Sequence, residues 1–325
     1  MTIWGINALN HDASICVFRD NQPVWHRRSS DFTHIQGDHY LNDELVHHAK
    51  TLYGEPEIVY WYERPYLKKL RQLRAGQYNE VFRIDNIPSI YLKKFNIDCP
   101  IIYTPHHHSH AAAGYYTSSF NRAAVVVVDA IGEFETISIW RGHGRTLEKI
   151  WSKNYPNSLG IFYSAFTELI GLKPAAQEHI LQQLSDRGDP FVYYDTVLDY
   201  FKKPAVLKYN LHKGVYNWPF GYDLTEQDRC DIAAAVQKVF EEQMDYIMVK
   251  ARNLTSFRNL VYMGGCAYNS KFNRQLRHQW RGIWSLPWPG DASSAIGAVL
   301  AHTKNHVTYQ TDEDIKHIEI KYNKL

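Results

Sequence analysis

The sequence predicts an α/β protein folded as two lobes. One pattern carries this most directly: an apolar strand reaches a turn of Gly, Asp or Asn, and the chain doubles back or enters a helix. It occurs at Gly5–Ser14, Val125–Gly132 and Leu260–Asn269. Two lobes facing a nucleotide cleft need turns of that kind, because small residues let backbone N–H groups approach phosphate oxygens. A chain of 325 residues, 45% of them hydrophobic, is also enough for one large two-lobed domain or two ordinary ones, with a sizeable core. We expect a first lobe over about residues 1–120, a second over about 121–303 and a short tail over 304–325.

In chain order, Ile3–Asn7 and Ser14–Arg19 read as strands joined by the polar turn Asn10-His11-Asp12. Leu41–Leu52 reads as a helix with Asp43 and Glu44 near its start. Glu57–Tyr62 is a strand, ended by Pro65, and a basic helix follows to about Leu73. Pro100–Tyr103 is a short strand, and the histidines after it open a helix that runs on through Ala111-Ala112-Ala113. Ala123–Asp129 stays apolar up to its last residue, as a strand covered on both faces does. Glu135–Trp140 alternates and suits the next strand. Tyr163–Gly171 and the long Asp228–Ala251 segment read as helices. Leu260–Met263 is a buried strand leading through Gly264-Gly265 into a helix that ends at Leu276, and a last helix spans about Ala292–Thr303.

The charge balance argues against a bulk nucleic-acid interface without excluding a local contact: Lys plus Arg is 36, Asp plus Glu is 34, and the net is +2. The local run Lys68, Lys69, Arg71 and Arg74 reads as a solvated helix face. Cys16, Cys99, Cys230 and Cys266 form no CxxC pair or disulfide framework, so a reducing, cytoplasmic setting is expected. The start of the chain has no signal-peptide pattern. The longest strongly apolar run, Ala123–Val128, is far short of the roughly 20 residues that cross a bilayer.

The strongest local signal is Pro105-His106-His107-His108-Ser109-His110. Residues four apart share a helix face, so His106 and His110 can offer imidazoles to one metal. Asp129 ends a buried strand, where a carboxylate is costly unless paired or metal-bound; it is also a residue type that turns favour. Asp291 is either a helix N-cap or a site residue. His11 is a candidate acid or base near neutral pH, or simply a loop histidine. There is no GxxxxGK[ST] and no GxGxxG.

Taken together, these segments resemble the nodulation-protein and antibiotic-biosynthesis O-carbamoyltransferases. The resemblance rests on seven pieces in order: Gly5-Ile6-Asn7-Ala8 with His11-Asp12-Ala13-Ser14; Tyr62-Glu63-Arg64-Pro65-Tyr66-Leu67-Lys68; His106 to Ala112; Asp129-Ala130-Ile131-Gly132-Glu133-Phe134; Ser158-Leu159-Gly160 with Tyr163-Ser164; Gly264-Gly265-Cys266-Ala267-Tyr268-Asn269; and Gly290-Asp291-Ala292. It implies the two-lobed fold of actin, sugar kinases and heat-shock ATPases, and kinship with enzymes that transfer threonylcarbamoyl to tRNA. It also implies a divalent metal, typically Fe2+, at the nucleotide phosphate, held by His106, His110, Asp129 and Asp291. ATP, AMP or carbamoyl-adenylate would lie along Gly5, Asn7, Gly132, Glu133, Gly264, Gly265 and Asn269. His11 and Asp12 become the catalytic candidates. A hydroxyl of a small molecule or nucleotide is the implied acceptor. Homodimerisation stays open.

The match has gaps. Relatives continue into a domain that makes carbamoyl-adenylate from carbamoyl phosphate and ATP, whereas this chain reaches Leu325 soon after the last helix, so a separate activating protein is expected to supply the adenylate. Over Glu178–Gly188, Ile180 stands where relatives carry a lysine, and Arg187 is the cation placed to replace it. Near the start, Ser29 to His34 also departs from the family pattern. A nucleotide-binding module that kept the fold and metal site without the reaction is the rival expectation.

Overall fold

The computed structural model describes residues 1–309; of the tail expected at 304–325, residues 310–325 lie outside the described residues. The first sheet contains β1 (Thr2–Asn7), β2 (Ser14–Arg19), β3 (Gln22–Arg28), β4 (Ile58–Trp61) and β5 (Ile101–Tyr103), in the order β3-β2-β1-β4-β5. The chain then forms β6 (Arg122–Gly132), β7 (Glu135–His143) and β8 (Thr146–Asn154). A small hairpin of β9 (Phe201–Lys203) and β10 (Val206–Leu207) follows, and then β11 (Asn259–Met263) and β12 (Gly282–Trp284). The second sheet, read from one edge, is β8-β7-β6-β11-β12.

The second sheet repeats the plan of the first. β1, β2 and β3 form an antiparallel meander, and so do β6, β7 and β8. β1 pairs in parallel with β4 and β4 with β5; β6 pairs in parallel with β11 and β11 with β12. This duplicated mixed sheet is the plan of the actin, sugar-kinase and heat-shock ATPase fold.

Two helices are packed between the sheets: a histidine helix (His106–Thr117) and a closing helix (Ser294–Thr303). Ile3, Cys16 and Phe18 of the first sheet meet them from one side, and Val125, Val127 and Met263 of the second from the other. Small residues allow this. A Cβ on Gly5 would stand 1.8 Å from the Ala295 carbonyl oxygen, and one on Gly297 would stand 1.7 Å from that of Ser109. Glycine is needed at both by close approach rather than by backbone angle. The far face of the second sheet packs on a long helix (Glu226–Thr255), which starts with a Thr225–Asp228 capping box. The far face of the first sheet is covered by the Asp43–Tyr53 helix, capped by Asn42.

Several boundaries differ from expectation. The helix expected from Tyr163 starts at Leu159, because the Ser158 side chain accepts from the Ile161 N–H. Gly265–Tyr268 is a separate 3₁₀ turn, and Asn269 caps the helix after it, Ser270–Leu276. The basic helix (Pro65–Arg74) is not a solvated cationic face. Lys68 Nζ donates to Glu63 at 2.6 Å and to the Leu9 carbonyl at 3.0 Å; Lys69 Nζ donates to the Val81 and Arg83 carbonyls; Arg71 is buried. Inward carboxylate and carbonyl acceptors outcompete water for these cations, while Tyr66, Leu70 and Leu73 face out. All four cysteines are free, and among the described residues no helix is long and apolar enough to cross a membrane.

Candidate metal centre

The histidine helix, β6 and the turn before the closing helix meet at one buried point. His106 and His110 lie one turn apart on the same face, with Nε2 atoms 3.1 Å from each other. Asp129 lies in β6 where the ladder to β7 slips between Val128 and Gly132. Such a bulge re-aims a side chain that regular pleating would send elsewhere. Asp291 opens the 3₁₀ turn Asp291–Ser293 and caps no helix.

Four atoms converge. His106 Nε2 is 3.2 Å from Asp129 Oδ2 and 3.5 Å from Asp291 Oδ1; His110 Nε2 is 3.2 Å from each of the same oxygens. A first-row divalent ion with bonds of about 2.0–2.2 Å would hold neighbouring ligand atoms about 2.8–3.6 Å apart. Five of the six pairs fall in that range and all four atoms lie within 4.8 Å of one another, so the group is close to the arrangement such an ion needs.

The electrostatics agree. Burial disfavours charge on Asp129, yet its contacts with His106 and His110 outweigh that and hold its carboxyl well below the usual range. Asp291 is lowered too, against burial, chiefly by the nearby His106. Burial also works against a charged His110, but hydrogen bonding to Asp129 and Asp291 raises it to about 9. Two buried carboxylates thus demand positive charge, which two protons or one cation can supply.

The outer atoms of three ligand residues are also anchored. Asp129 Oδ1 accepts from the Ala130 N–H at 2.8 Å and the Gly265 N–H at 3.3 Å. Asp291 Oδ2 accepts from Asn10 Nδ2 at 2.8 Å. His110 Nδ1 lies 3.3 Å from Ser294 Oγ. Asn10 thus joins the cluster, although in the turn Asn10-His11-Asp12 only the titratable pair stands out by residue type.

The other expected residues fall as follows. His11 lies on the β1–β2 turn with its ring 5.0 Å from that of His39. Asp12 follows in a left-handed conformation, φ 50°, and its carboxyl is raised by burial and then by Asp291. Asn7 is buried and donates to the His11 and Asp12 carbonyls, so it shapes that turn. Gly132 backs His106: a Cβ there would stand 2.1 Å from its Cδ2. Glu133, left-handed at φ 54°, accepts from the Arg64 N–H at 2.7 Å and from its guanidinium, tying the two sheets together. Gly264 takes φ 93° beside the Val128 carbonyl. Asn269 is paired with Gln237. Gly5 is in mid-strand against the closing helix. Arg187 is not a substitute for the lysine: it pairs with Glu226 on the surface.

A duplicated mixed sheet around a buried His2Asp2 pocket defines a two-lobed protein with a candidate metal centre. The chain belongs to the carbamoyltransferase N-terminus family, whose model matches residues 59–300. The uncharacterized protein sll1178 of Synechocystis sp. is 28% identical over 348 residues, covering 92% of this chain and 56% of its own length. The nodulation protein NolO of Bradyrhizobium diazoefficiens is 26% identical over 206 residues, covering 60% of this chain and 37% of its own. This chain thus spans about half the length, or less, of these relatives. Among solved structures, full-length HypF aligns with a TM-score of 0.49 at 14% identity, over 93% of this chain and 55% of its own. The activator of the 2-hydroxyisocaproyl-CoA dehydratase from Clostridium difficile aligns with a TM-score of 0.47 at 11% identity, over 94% and 96%.

Proposed function

We propose that this chain is the transfer half of an O-carbamoyltransferase. It would move a carbamoyl group from carbamoyl-adenylate to a hydroxyl of a small molecule or nucleotide. The observation that carries the reading is the ready-made quartet of His106, His110, Asp129 and Asp291, all four of which lie within the stretch matched by the carbamoyltransferase family model. Two imidazoles and two carboxylates suit a divalent first-row ion such as Fe2+. Such an ion supplies charge stabilisation at a phosphate oxygen.

The chain's own residues do the rest. The β1–β2 turn brings Asn10 onto Asp291 and Asp12 close enough to feel its charge from the first sheet, and Gly265 brings a backbone N–H to the cluster from the second. The acceptor oxygen forms a bond to the carbamoyl carbon, the bond from that carbon to the adenylate oxygen breaks, and AMP leaves with the electron pair. His11 takes the hydroxyl proton. We place the nucleotide between a lobe of about residues 1–120 and one of about 121–303, with the adenylate supplied by a separate activating protein.

The direct test combines carbamoyl phosphate, ATP and a relative's adenylate-forming domain with this protein, then screens hydroxyl compounds by mass spectrometry. The expected result is an acceptor gaining one carbamoyl group, dependent on His110. A second reading, nucleotide binding without transfer, draws on Ile180 and on Arg187 being tied to Glu226. It becomes the better one if the protein binds metal and AMP yet carbamoylates nothing.

A further inference from the structure

Of the four ligand residues, only His106 has an outer atom without a partner. His106 Nδ1 is buried and makes no hydrogen bond, whereas the outer atoms of His110, Asp129 and Asp291 are held. Metal-binding imidazoles almost always donate their second ring N–H to a carboxylate, a carbonyl or water, which fixes tautomer and ring plane. A carboxylate faces this one: Glu63 Oε2 lies 4.0 Å from His106 Nδ1.

Glu63 lies two residues beyond the end of strand β4, and its side chain is 5% exposed. Lys68 Nζ holds its other oxygen at 2.6 Å, so its charge is balanced without any contact to His106. The same ammonium donates to the Leu9 carbonyl, next to Asn10, which holds Asp291. One cation therefore links the supports of two ligand residues. A cavity of about 50 Å³ lined by Leu9, Trp61, Glu63, Lys68 and Gln72 lies alongside. Closing a gap of 4.0 Å to a hydrogen bond of about 2.8 Å takes roughly an ångström.

We infer that Glu63 is the positioning residue of the metal centre: it accepts the Nδ1–H of His106 and so points Nε2 at the ion, with Lys68 as its counter-charge. This rests on the metal reading above. It adds the residue that orients His106 and the cation that holds that residue.

The test is titration of the full chain with Zn2+ and, anaerobically, with Fe2+, for wild type, Glu63→Gln, Glu63→Ala and the exposed control Glu148→Gln. Affinity should fall about 10–100-fold in Glu63→Ala, less in Glu63→Gln, which keeps an acceptor oxygen, and not in the control. In the Zn2+-loaded protein, 15N NMR should show an exchange-protected His106 Nδ1–H in wild type that shifts upfield in Glu63→Gln. Because Glu63→Gln is nearly isosteric, it stays readable if Glu63→Ala does not fold. Unchanged affinity in both variants with an unmoved Nδ1–H signal overturns the role of Glu63 and leaves the metal site standing. A wild type that binds neither metal overturns the site itself.

Discussion

The hairpin joining β1 to β2 and the hairpin joining β6 to β7 occupy the same place in two sheets of the same plan, yet they are built for opposite tasks. The first is long and polar. It bends through Leu9 and Asp12, both at positive φ, and spends its atoms on the centre: Asn10 holds Asp291, and Asn7 holds the turn. The second is tight. Its one left-handed residue, Glu133, points away from the ligands to grip Arg64, and Gly132 leaves the space that His106 fills. One corner reaches toward the His2Asp2 cluster with side chains; the other makes room for it and ties the sheets together.

If that contrast is right, the largest penalty comes from filling the gap in the second corner. Gly132→Ala puts a Cβ 2.1 Å from His106 Cδ2. It should cost about 3 kcal/mol, the upper range for overpacking, and weaken metal binding as well. Urea unfolding and metal titration read the two effects.

Acid should act next, through a buried imidazole beside the first sheet and a partly buried one beside the second. His26 of β3 sits between Tyr309 and the Ala292 carbonyl, and His108 stacks on Trp140 of β7. Burial lowers both from 6.5 to about 4. The unfolded chain takes up a proton on each below about pH 6.5 and the folded chain resists to about 4, so stability falls as pH drops through that window. At pH 5 the loss is about 2 kcal/mol per ring. Denaturation midpoints at pH 7 and pH 5 should show it, and His108→Gln should flatten the slope.

Asn10→Ala tests the first corner alone. Metal affinity should drop about tenfold while the unfolding midpoint hardly moves. A large loss of stability instead would make Asn10 a folding residue. The smallest effect is at Glu133. Both Glu133→Gly and Glu133→Ala lose the Arg64 contact, but only alanine keeps the left-handed strain, so glycine should be the more stable by about 1 kcal/mol.

The centre was legible because its signals are local. Spacing of four puts His106 and His110 on one helix face, and Asp129 ends a run that must be buried. Asp291 needed the resemblance, since a lone Asp before a helix has a simpler reading as a cap. Glu63 carries a weaker form of the signal at Asp129, a carboxylate just past a strand rather than at the end of a long apolar run, and no spacing rule gives it a role. Asn10 was missed because its partner lies 281 positions away. The basic helix was misread because charge counts do not show the carbonyls that Lys69 meets or the carboxylate that Lys68 meets. Among the strands, β3, β8, β9, β10 and β12 are not evident in the sequence. β8 is a largely exposed edge strand and β12 has three residues, so neither leaves a clear alternating pattern.

The most direct measurement is the metal and AMP content of protein purified anaerobically, wild type against His110→Ala. A divalent ion and AMP bound in wild type, with both lost in the folded variant, is the expected result. A wild-type protein that holds no metal and binds no adenine nucleotide would contradict the proposed centre and the transfer chemistry built on it.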